Sequence, residues 1–182
     1  LFYNKDIFIS KCFAITPSTW NDFGNLIPVL TQFDFSHQIK KSAAAIGGSG
    51  KSIKNASDLL TLLMLQYGSQ FTDPQTEKIA FDDYSFKAFN FYLQFSNSSD
   101  SHYTWSDNFA DSIDAFSSGD AAMIFDYSRR IPNIKQKNPF LNFAVAPMPQ
   151  FDVSRPVNSA AYWGLAVSKQ SQYPKYAWDF IF

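Results

Sequence analysis

Apolar residues at helical spacing predict a helix early in the chain. Thr19 and Asp22 stand three residues apart, which is the spacing of a capping box at a helix N-terminus. Beyond them, one helical face carries only large apolar residues, namely Phe23, Leu26, Ile27 and Leu30. The preceding stretch, LFYNKDIFI, alternates loosely between apolar and polar residues and is rich in strand formers. We therefore predict a strand at the start of the chain and a helix from about Thr19.

Four more helices are predicted from their patterns and boundaries. The clearest covers NASDLLTLLMLQYGSQF, where Ser57 is predicted as the N-cap and Gly68 as the C-terminal stop. A shorter helix in NFADSIDAFSSGD ends at Gly119, and YPKYAWDFIF begins another with Pro174 in its first turn. An amphipathic pattern in FDDYSFKAFNFYLQFSN predicts a helix whose core-facing residues are Phe86, Phe89, Phe91 and Leu93.

Apolar runs between these helices predict buried strands. The runs are SAAAIGG, AAMIFDY, FAVAPMPQ and YWGLAVSK, and Pro147 and Pro149 end the third of them. Because strands alternate with helices, the chain is predicted to be an α/β protein.

The composition is typical of a folded globular protein. Hydrophobic residues make up 46% and charged residues 17% of the 182 residues, which suffices for one substantial domain with a core. Aromatic residues reach 18%, so rings are available for a binding cleft as well as for the core. The net charge of −1 argues against a nucleic-acid partner, which requires a basic face. Cys12 is the single cysteine and lies in the apolar stretch KCFAI, so we predict a buried thiol without a disulfide.

One glycine-rich stretch, AIGGSGKS, is similar to a phosphate-binding loop. Ala45 replaces the first glycine, while Lys51 and Ser52 match the residues that contact phosphate and magnesium in such loops. In a true phosphate loop these two residues occupy the first helical turn, whereas the predicted N-cap, Ser57, comes five residues after Ser52. A P-loop NTPase built on Ala45–Ser52 therefore stays as an alternative. The favoured interpretation is a glycine loop at the carboxyl end of a strand, where α/β proteins bind ligands.

Few other residues suggest catalysis. His37 and His102 are the only histidines, and neither has a neighbour at zinc-ligand spacing, so no triad and no metal site is predicted. Arg129 and Arg130 follow Tyr127 and can clamp an anionic group, which keeps a binding protein for an anionic solute, such as a polyol phosphate, as a further alternative. The chain is thus predicted to be neither an enzyme nor a cofactor-binding protein.

Four segments, in this order, resemble the extracellular solute-binding proteins of carbohydrate-type ABC importers, the family that includes maltose-binding proteins. They are LFYNKDIF with ITPSTWNDF, then LLTLLMLQYGSQF, AFSSGDAAMIFDYS, and finally NFAVAPMPQ followed by YWGLAVSKQSQYPKYAWDFI. The resemblance covers nearly the whole chain and is weakest between Asp34 and Asn55. It implies a type II periplasmic-binding-protein-like lobe, in which a central mixed sheet is flanked by helices.

The resemblance also implies a domain arrangement, a location and partners. Residues 1–8 would form the first hinge crossing, 9–157 the second lobe, and 158–182 the second crossing with the start of a helix that belongs to the first lobe. The protein would be a monomer outside the cytoplasm, either periplasmic or anchored as a lipoprotein, with its targeting signal outside this chain. It would capture a small-molecule solute, a sugar or oligosaccharide, by hinge closure and deliver it to the membrane permease, without nucleic acid as a partner.

The expected ligand contacts follow from the same resemblance and lie in three places. The start of the NASDLL helix would provide polar contacts, the residues after the AAMIFD strand would provide polar and aromatic ones, and the YWG crossing would provide a stacking ring. The predicted ligand-binding residues are Asn55, Ser57, Asp58, Asp126, Tyr127, Arg129, Tyr162, Trp163 and Gly164.

Overall fold

A mixed β-sheet lies at the centre of the protein. The computed structural model describes residues 1–72, 78–79, 81–160, 162 and 164–182. Its strands are β1 (Phe2–Asn4), β2 (Gln32–Phe33), β3 (Ile39–Ala45), β4 (Ala121–Ile124) and β5 (Phe143–Val145). They are arranged in the order β2–β3–β4–β1–β5, with β3 and β4 parallel and β1 antiparallel to both of its neighbours. The predicted α/β fold with a central mixed sheet is confirmed.

The described part of the chain forms seven helices. They are α1 (Lys5–Ser10), α2 (Trp20–Leu30), α3 (Ala56–Tyr67), α4 (Asp83–Leu93), α5 (Ser112–Ser118), α6 (Ile131–Lys137) and α7 (Pro174–Ile181). Two short 3₁₀ turns are also present: Gln94–Ser96 directly follows α4, and Ser128–Arg130 directly precedes α6. Within the described residues, no helix combines the length and apolarity that a membrane crossing requires.

The predicted N-terminal strand stops sooner than its composition suggested. Strand β1 ends at Asn4, whose Oδ1 accepts hydrogen bonds from the backbone N–H groups of Asp6 and Ile7 at 3.0 and 3.2 Å. This side chain caps α1, so the rest of LFYNKDIFI is helical rather than extended. The prediction of a strand through Ile9 was therefore wrong.

Helix boundaries that depend on a capping box or on a terminal glycine agree with the predictions. Thr19 and Asp22 form the expected capping box. Gly68 and Gly119 end α3 and α5 in the left-handed conformation, with φ of 88° and 79°. The N-cap of α3, however, is Asn55 rather than Ser57, which lies in the first helical turn.

The buried face of α4 differs from the predicted one. Ser85, Ala88 and Tyr92 are buried, and the small side chains let α4 pack closely against α3. The aromatic residues predicted to face the core mostly face outward: Phe86 is 60% exposed and Phe89 43% exposed. A row of apolar rings therefore lies on the surface of this helix.

Of three further predictions, one fails, one falls partly outside the described residues, and one agrees with the structure. Cys12 is exposed, because it follows α1 in a left-handed turn with φ of 59° instead of packing inward. The described part of YWGLAVSK, residues 162 and 164–168, contains no strand. Helix α7 begins with Pro174 as predicted, and its residues are exposed apart from half-buried Ala177 and Ile181.

Candidate functional site

The candidate site lies where two parallel strands end side by side. Strand β3 ends at Ala45 and runs into Ile46, Gly47 and Gly48, while β4 ends at Ile124 and runs into Phe125 and Asp126. Because β3 and β4 are parallel neighbours, both carboxyl ends open at the same edge of the sheet. Helix α3 starts from this edge and has one cavity on each side of its first turns.

The smaller cavity, here named the Asp126 cavity, has a volume of ≈ 120 Å³. It brings together residues predicted to bind ligand from two distant parts of the sequence, Asn55 and Asp58 on one side and Asp126 and Tyr127 on the other. Its described lining is completed by Leu59, Leu62, Phe125, Met148 and Ser159.

Asp126 is the most enclosed charged group of this cavity. Its side chain is 4% exposed, and its Oδ1 lies 3.6 Å from Nε of Arg130. Burial raises the pKa of the Asp126 carboxyl, while the hydrogen bond from the Tyr127 backbone N–H and the charge of Arg130 oppose the rise. The carboxylate therefore has acceptor capacity in a poorly hydrated position.

Hydrogen bonds hold together the two segments that line the Asp126 cavity. The Tyr127 hydroxyl donates to Oδ2 of Asp58 at 2.9 Å, and Nδ2 of Asn55 donates to the Phe125 carbonyl at 2.9 Å. These two bonds tie the start of α3 to the segment that follows β4. The Asn55 Oδ1 atom is buried and has no hydrogen-bond partner among the described residues, so it can accept from a ligand.

The other predicted site residues lie outside the Asp126 cavity. Ser57 lines the second cavity, on the other side of α3. Arg129 is exposed, and its guanidinium lies over the Tyr127 ring at 5.1 Å. Tyr162 is 88% exposed, a Cβ placed on Gly164 would meet no atom within 4 Å, and Trp163 lies outside the described residues.

The structure adds residues that the sequence analysis missed. Met148 and Ser159 line the Asp126 cavity from the segment after β5. The paired prolines in APMPQ marked the end of that strand, but they gave no signal that the chain returns to the carboxyl edge of β4. Within the described residues, no three His, Cys, Asp or Glu side chains are grouped closely enough to hold a metal ion.

The glycine-rich stretch does not form a phosphate-binding loop. Ser52 is buried, donates to Oδ1 of Asp107 at 2.6 Å, and accepts a hydrogen bond from Nε1 of Trp105 at 2.9 Å. Helix α3 begins at Ala56, so Lys51 and Ser52 precede its first turn. Their side chains thus lack the position at a helix N-terminus that phosphate binding requires.

The larger cavity, here named the glycine-loop cavity, has a volume of ≈ 530 Å³. It lies between α3, α4 and the segment after β3, and Asp107 closes one side. Its lining includes Gly47, Gly48 and Ser49 from the segment after β3, Ser57 and Leu60 from α3, and Phe89, Tyr92 and Leu93 from α4. Ala56, Ser96, Ser106 and Asp107 complete the lining.

Replacing Gly48 with alanine should disrupt this loop. A Cβ at Gly48 would lie 2.6 Å from Cδ1 of buried Trp105 and 2.9 Å from Oδ1 of Asp107. We expect Gly48→Ala to lower the free energy of unfolding by about 1–3 kcal/mol, which is typical of an overpacked core. Gly50→Ala is the matched control, because its Cβ would meet no atom within 4 Å. Urea unfolding should separate the two variants, and equal midpoints would show that Trp105 does not confine the loop.

Comparison with known proteins relates the whole chain to one family. A model of the bacterial extracellular solute-binding proteins matches residues 1–181. No curated protein matches the chain. An ABC transporter solute-binding protein from Thermotoga lettingae bound with alpha-D-tagatose has a TM-score of 0.66 at 18% identity, and the match covers 98% of this chain and 45% of that one.

Other solved structures give the same result. CpMnBP1 with mannobiose bound has a TM-score of 0.65 at 22% identity, over 99% of this chain and 46% of that one. An ABC substrate-binding protein from Listeria monocytogenes in complex with cycloalternan has a TM-score of 0.64 at 17% identity, over 98% and 43%. The chain thus spans less than half the length of these proteins and shares the fold of the part it matches.

Proposed function

The chain belongs to the bacterial extracellular solute-binding proteins, and on that premise we propose that it forms most of one lobe of the substrate-binding component of an ABC importer. Its ligand is a sugar or oligosaccharide, captured between two lobes and delivered to the membrane permease. The observation that carries this proposal is the Asp126 cavity, which opens at the carboxyl edge of parallel strands and collects polar groups from two distant segments.

The chemistry of this cavity fits a neutral, hydroxyl-rich ligand. Asp58 and Asp126 offer carboxylate oxygens to hydroxyl groups, and the Asn55 Oδ1 atom is a buried acceptor without a partner among the described residues. Phe125 and the Tyr127 ring supply apolar surface beside them. The two carboxylates in the wall also repel anions, which argues against a polyol phosphate as the ligand.

Capture follows from hinge closure between lobes. In this proposal residues 1–8 form the first hinge crossing, 9–157 the lobe described above, and 158–182 the second crossing with a helix that packs on the other lobe. Tyr176 and Phe180 lie one turn apart on the same side of α7, and both rings are exposed. They support that packing, since an exposed apolar surface of this kind is typical of an interaction site. Tyr162, Trp163 and Gly164 would then lie in the crossing beside the ligand, with Tyr162 or Trp163 as the stacking ring.

The remaining parts of the proposal concern location and assembly. The family description supports an extracytoplasmic location. We propose anchoring as a lipoprotein or release into a periplasm, a monomeric state, and a binding role without catalysis.

A ligand panel tests the proposed function in the intact protein. A saccharide that binds only the folded state should raise Tm, because ligand at one hundred times its Kd adds about 2.7 kcal/mol of stability. We expect a rise of several degrees with mono-, di- or trisaccharides of glucose or mannose, and unchanged Tm with glycerol 3-phosphate or with ATP and magnesium. A rise with ATP or glycerol 3-phosphate and with no saccharide would replace the proposal by one of the alternatives.

A further inference from the structure

We infer that the glycine-loop cavity is a second carbohydrate-contacting region of this lobe, with Phe89 as its stacking surface and Asp107 as its acceptor. It would hold units of an oligosaccharide beyond the unit bound in the Asp126 cavity. The inference rests on the proposed function and adds a preferred ligand length and two specificity-determining residues.

The two cavities lie next to each other, one on each side of the first turn of α3. Ser57 lines the glycine-loop cavity and Asp58 lines the Asp126 cavity, and Oγ of Ser57 lies 3.5 Å from Oδ1 of Asp58. Both cavities also open at the ends of adjacent parallel strands, β3 and β4. A chain of sugar units can therefore run from one cavity to the other across the first turn of α3.

The two cavities differ in the volume that they offer on this lobe. Ligand pockets typically measure about 300–1,000 Å³. The Asp126 cavity, at ≈ 120 Å³, is smaller than this range, whereas the glycine-loop cavity, at ≈ 530 Å³, falls within it. The larger volume lies beside the smaller one and provides the room that a longer saccharide needs.

The lining of the glycine-loop cavity matches the two surfaces of a sugar ring. Phe89 is 43% exposed, and together with Leu60 and Leu93 it forms an apolar surface for the C–H face of a pyranose. On the polar side, Oδ1 of Asp107 accepts from the Ser49 backbone N–H at 2.9 Å and from the Ser52 hydroxyl at 2.6 Å. Hydrogen bonds from the Ser49 and Ser52 side chains lower the pKa of the Asp107 carboxyl, so it is an ionised acceptor for a ligand hydroxyl.

The walls of this cavity are held in place before a ligand arrives. The Tyr92 hydroxyl donates to the Gly48 carbonyl at 2.6 Å, which ties α4 to the glycine loop. Gly48 itself lies against the buried Trp105 ring, which donates to Ser52. A rigid wall lowers the conformational cost of binding, so the cavity is suited to ligand contact.

Phe89→Ala tests the inference against a matched control on the same helix. Phe86→Ala removes an aromatic ring that is 60% exposed and lines neither cavity. Affinities of glucose, mannose and their di- and trisaccharides would be measured calorimetrically with the intact protein and both variants. We expect Phe89→Ala to weaken trisaccharide binding about five- to tenfold and to leave monosaccharide affinity within twofold, while Phe86→Ala changes neither. Asp107→Asn should show the same dependence on ligand length.

The possible results separate the inference from the proposed function. The inference is overturned if the protein binds mono- and trisaccharides with equal affinity. It is also overturned if Phe89→Ala lowers the affinity equally for both ligand lengths. Either result leaves the proposed function standing. Equal losses in Phe89→Ala and Phe86→Ala also overturn the inference, because they would reflect α4 rather than its cavity-facing ring. Failure of every saccharide to bind overturns both.

Discussion

Replacing Trp20 with alanine is expected to destabilise the fold by about 3–5 kcal/mol, the usual range for a large buried aromatic residue. The Trp20 side chain is 2% exposed and contacts the rings of Phe23, Phe91, Phe125 and Phe151. Its Nε1 donates to Oε1 of Gln66 at 2.6 Å, which links α2 to α3. The expected fall in Tm is roughly 10 °C for a domain of this size.

Two variants make this prediction specific. Trp20→Phe keeps a ring in the core but removes the donor to Gln66, which leaves Gln66 with one unpaired acceptor. It should lower the free energy of unfolding clearly less than Trp20→Ala does. Phe140→Ala removes a ring that is 94% exposed and should change Tm by about 1–2 °C at most. A Trp20→Ala protein that melts within 2 °C of the parent would show that this aromatic cluster does not support the lobe.

Local chemistry explains which parts of the fold could be predicted from the sequence. The Thr19–Asp22 capping box and the glycines that end α3 and α5 act within a few residues, so their patterns are visible in the chain. The same holds for the buried runs of β3 and β4. In contrast, Asn4 competes with a strand-forming composition, and its capping of α1 decided the local structure.

Helix α4 shows why the buried face of a segment could not be predicted. The segment carries large rings on most sides, so helical spacing alone does not choose between them. Close packing against α3 selects the small residues Ser85 and Ala88 and leaves Phe86 and Phe89 outside. The choice depends on the neighbouring helix, which only the tertiary structure supplies.

The candidate site was predictable to a similar extent. Residues at strand ends and helix starts are natural contacts in α/β proteins, and the structure brings Asn55, Asp58, Asp126 and Tyr127 together in one cavity. For the second cavity, the sequence indicated only the glycine loop after β3 and Ser57. Its shape depends on Trp105 and Asp107, which pack against that loop from more than fifty residues later in the chain. Long-range hydrogen bonds, rather than a motif, determine the shape of that loop.

Replacing Asp126 with asparagine should weaken saccharide binding by roughly ten- to a hundredfold, since hydrogen bonds to a charged group contribute about 1.5–3 kcal/mol. Burial raises the pKa of this carboxyl in the folded protein above its value in the unfolded chain, so the ionised form destabilises the fold at pH values above the raised pKa. This penalty is lost as the pH falls from the raised pKa to the unfolded one. The Asp126→Asn protein should therefore keep or gain Tm at pH 7 while losing affinity. A purely structural role would instead lower Tm.

The pH dependence of binding provides the second readout of Asp126. Parent affinity should fall as the pH is lowered through the raised pKa, because protonation removes the charged acceptor, and the Asp126→Asn protein should lack this component. Asp114→Asn serves as the control, since Asp114 is exposed, pairs with Lys137, and lines neither of the two cavities. Calorimetric titrations between pH 7 and pH 4 measure both effects. Identical pH profiles for the parent and Asp126→Asn would remove Asp126 from the binding site, because a carboxylate that accepts from the ligand cannot lose its charge without changing affinity.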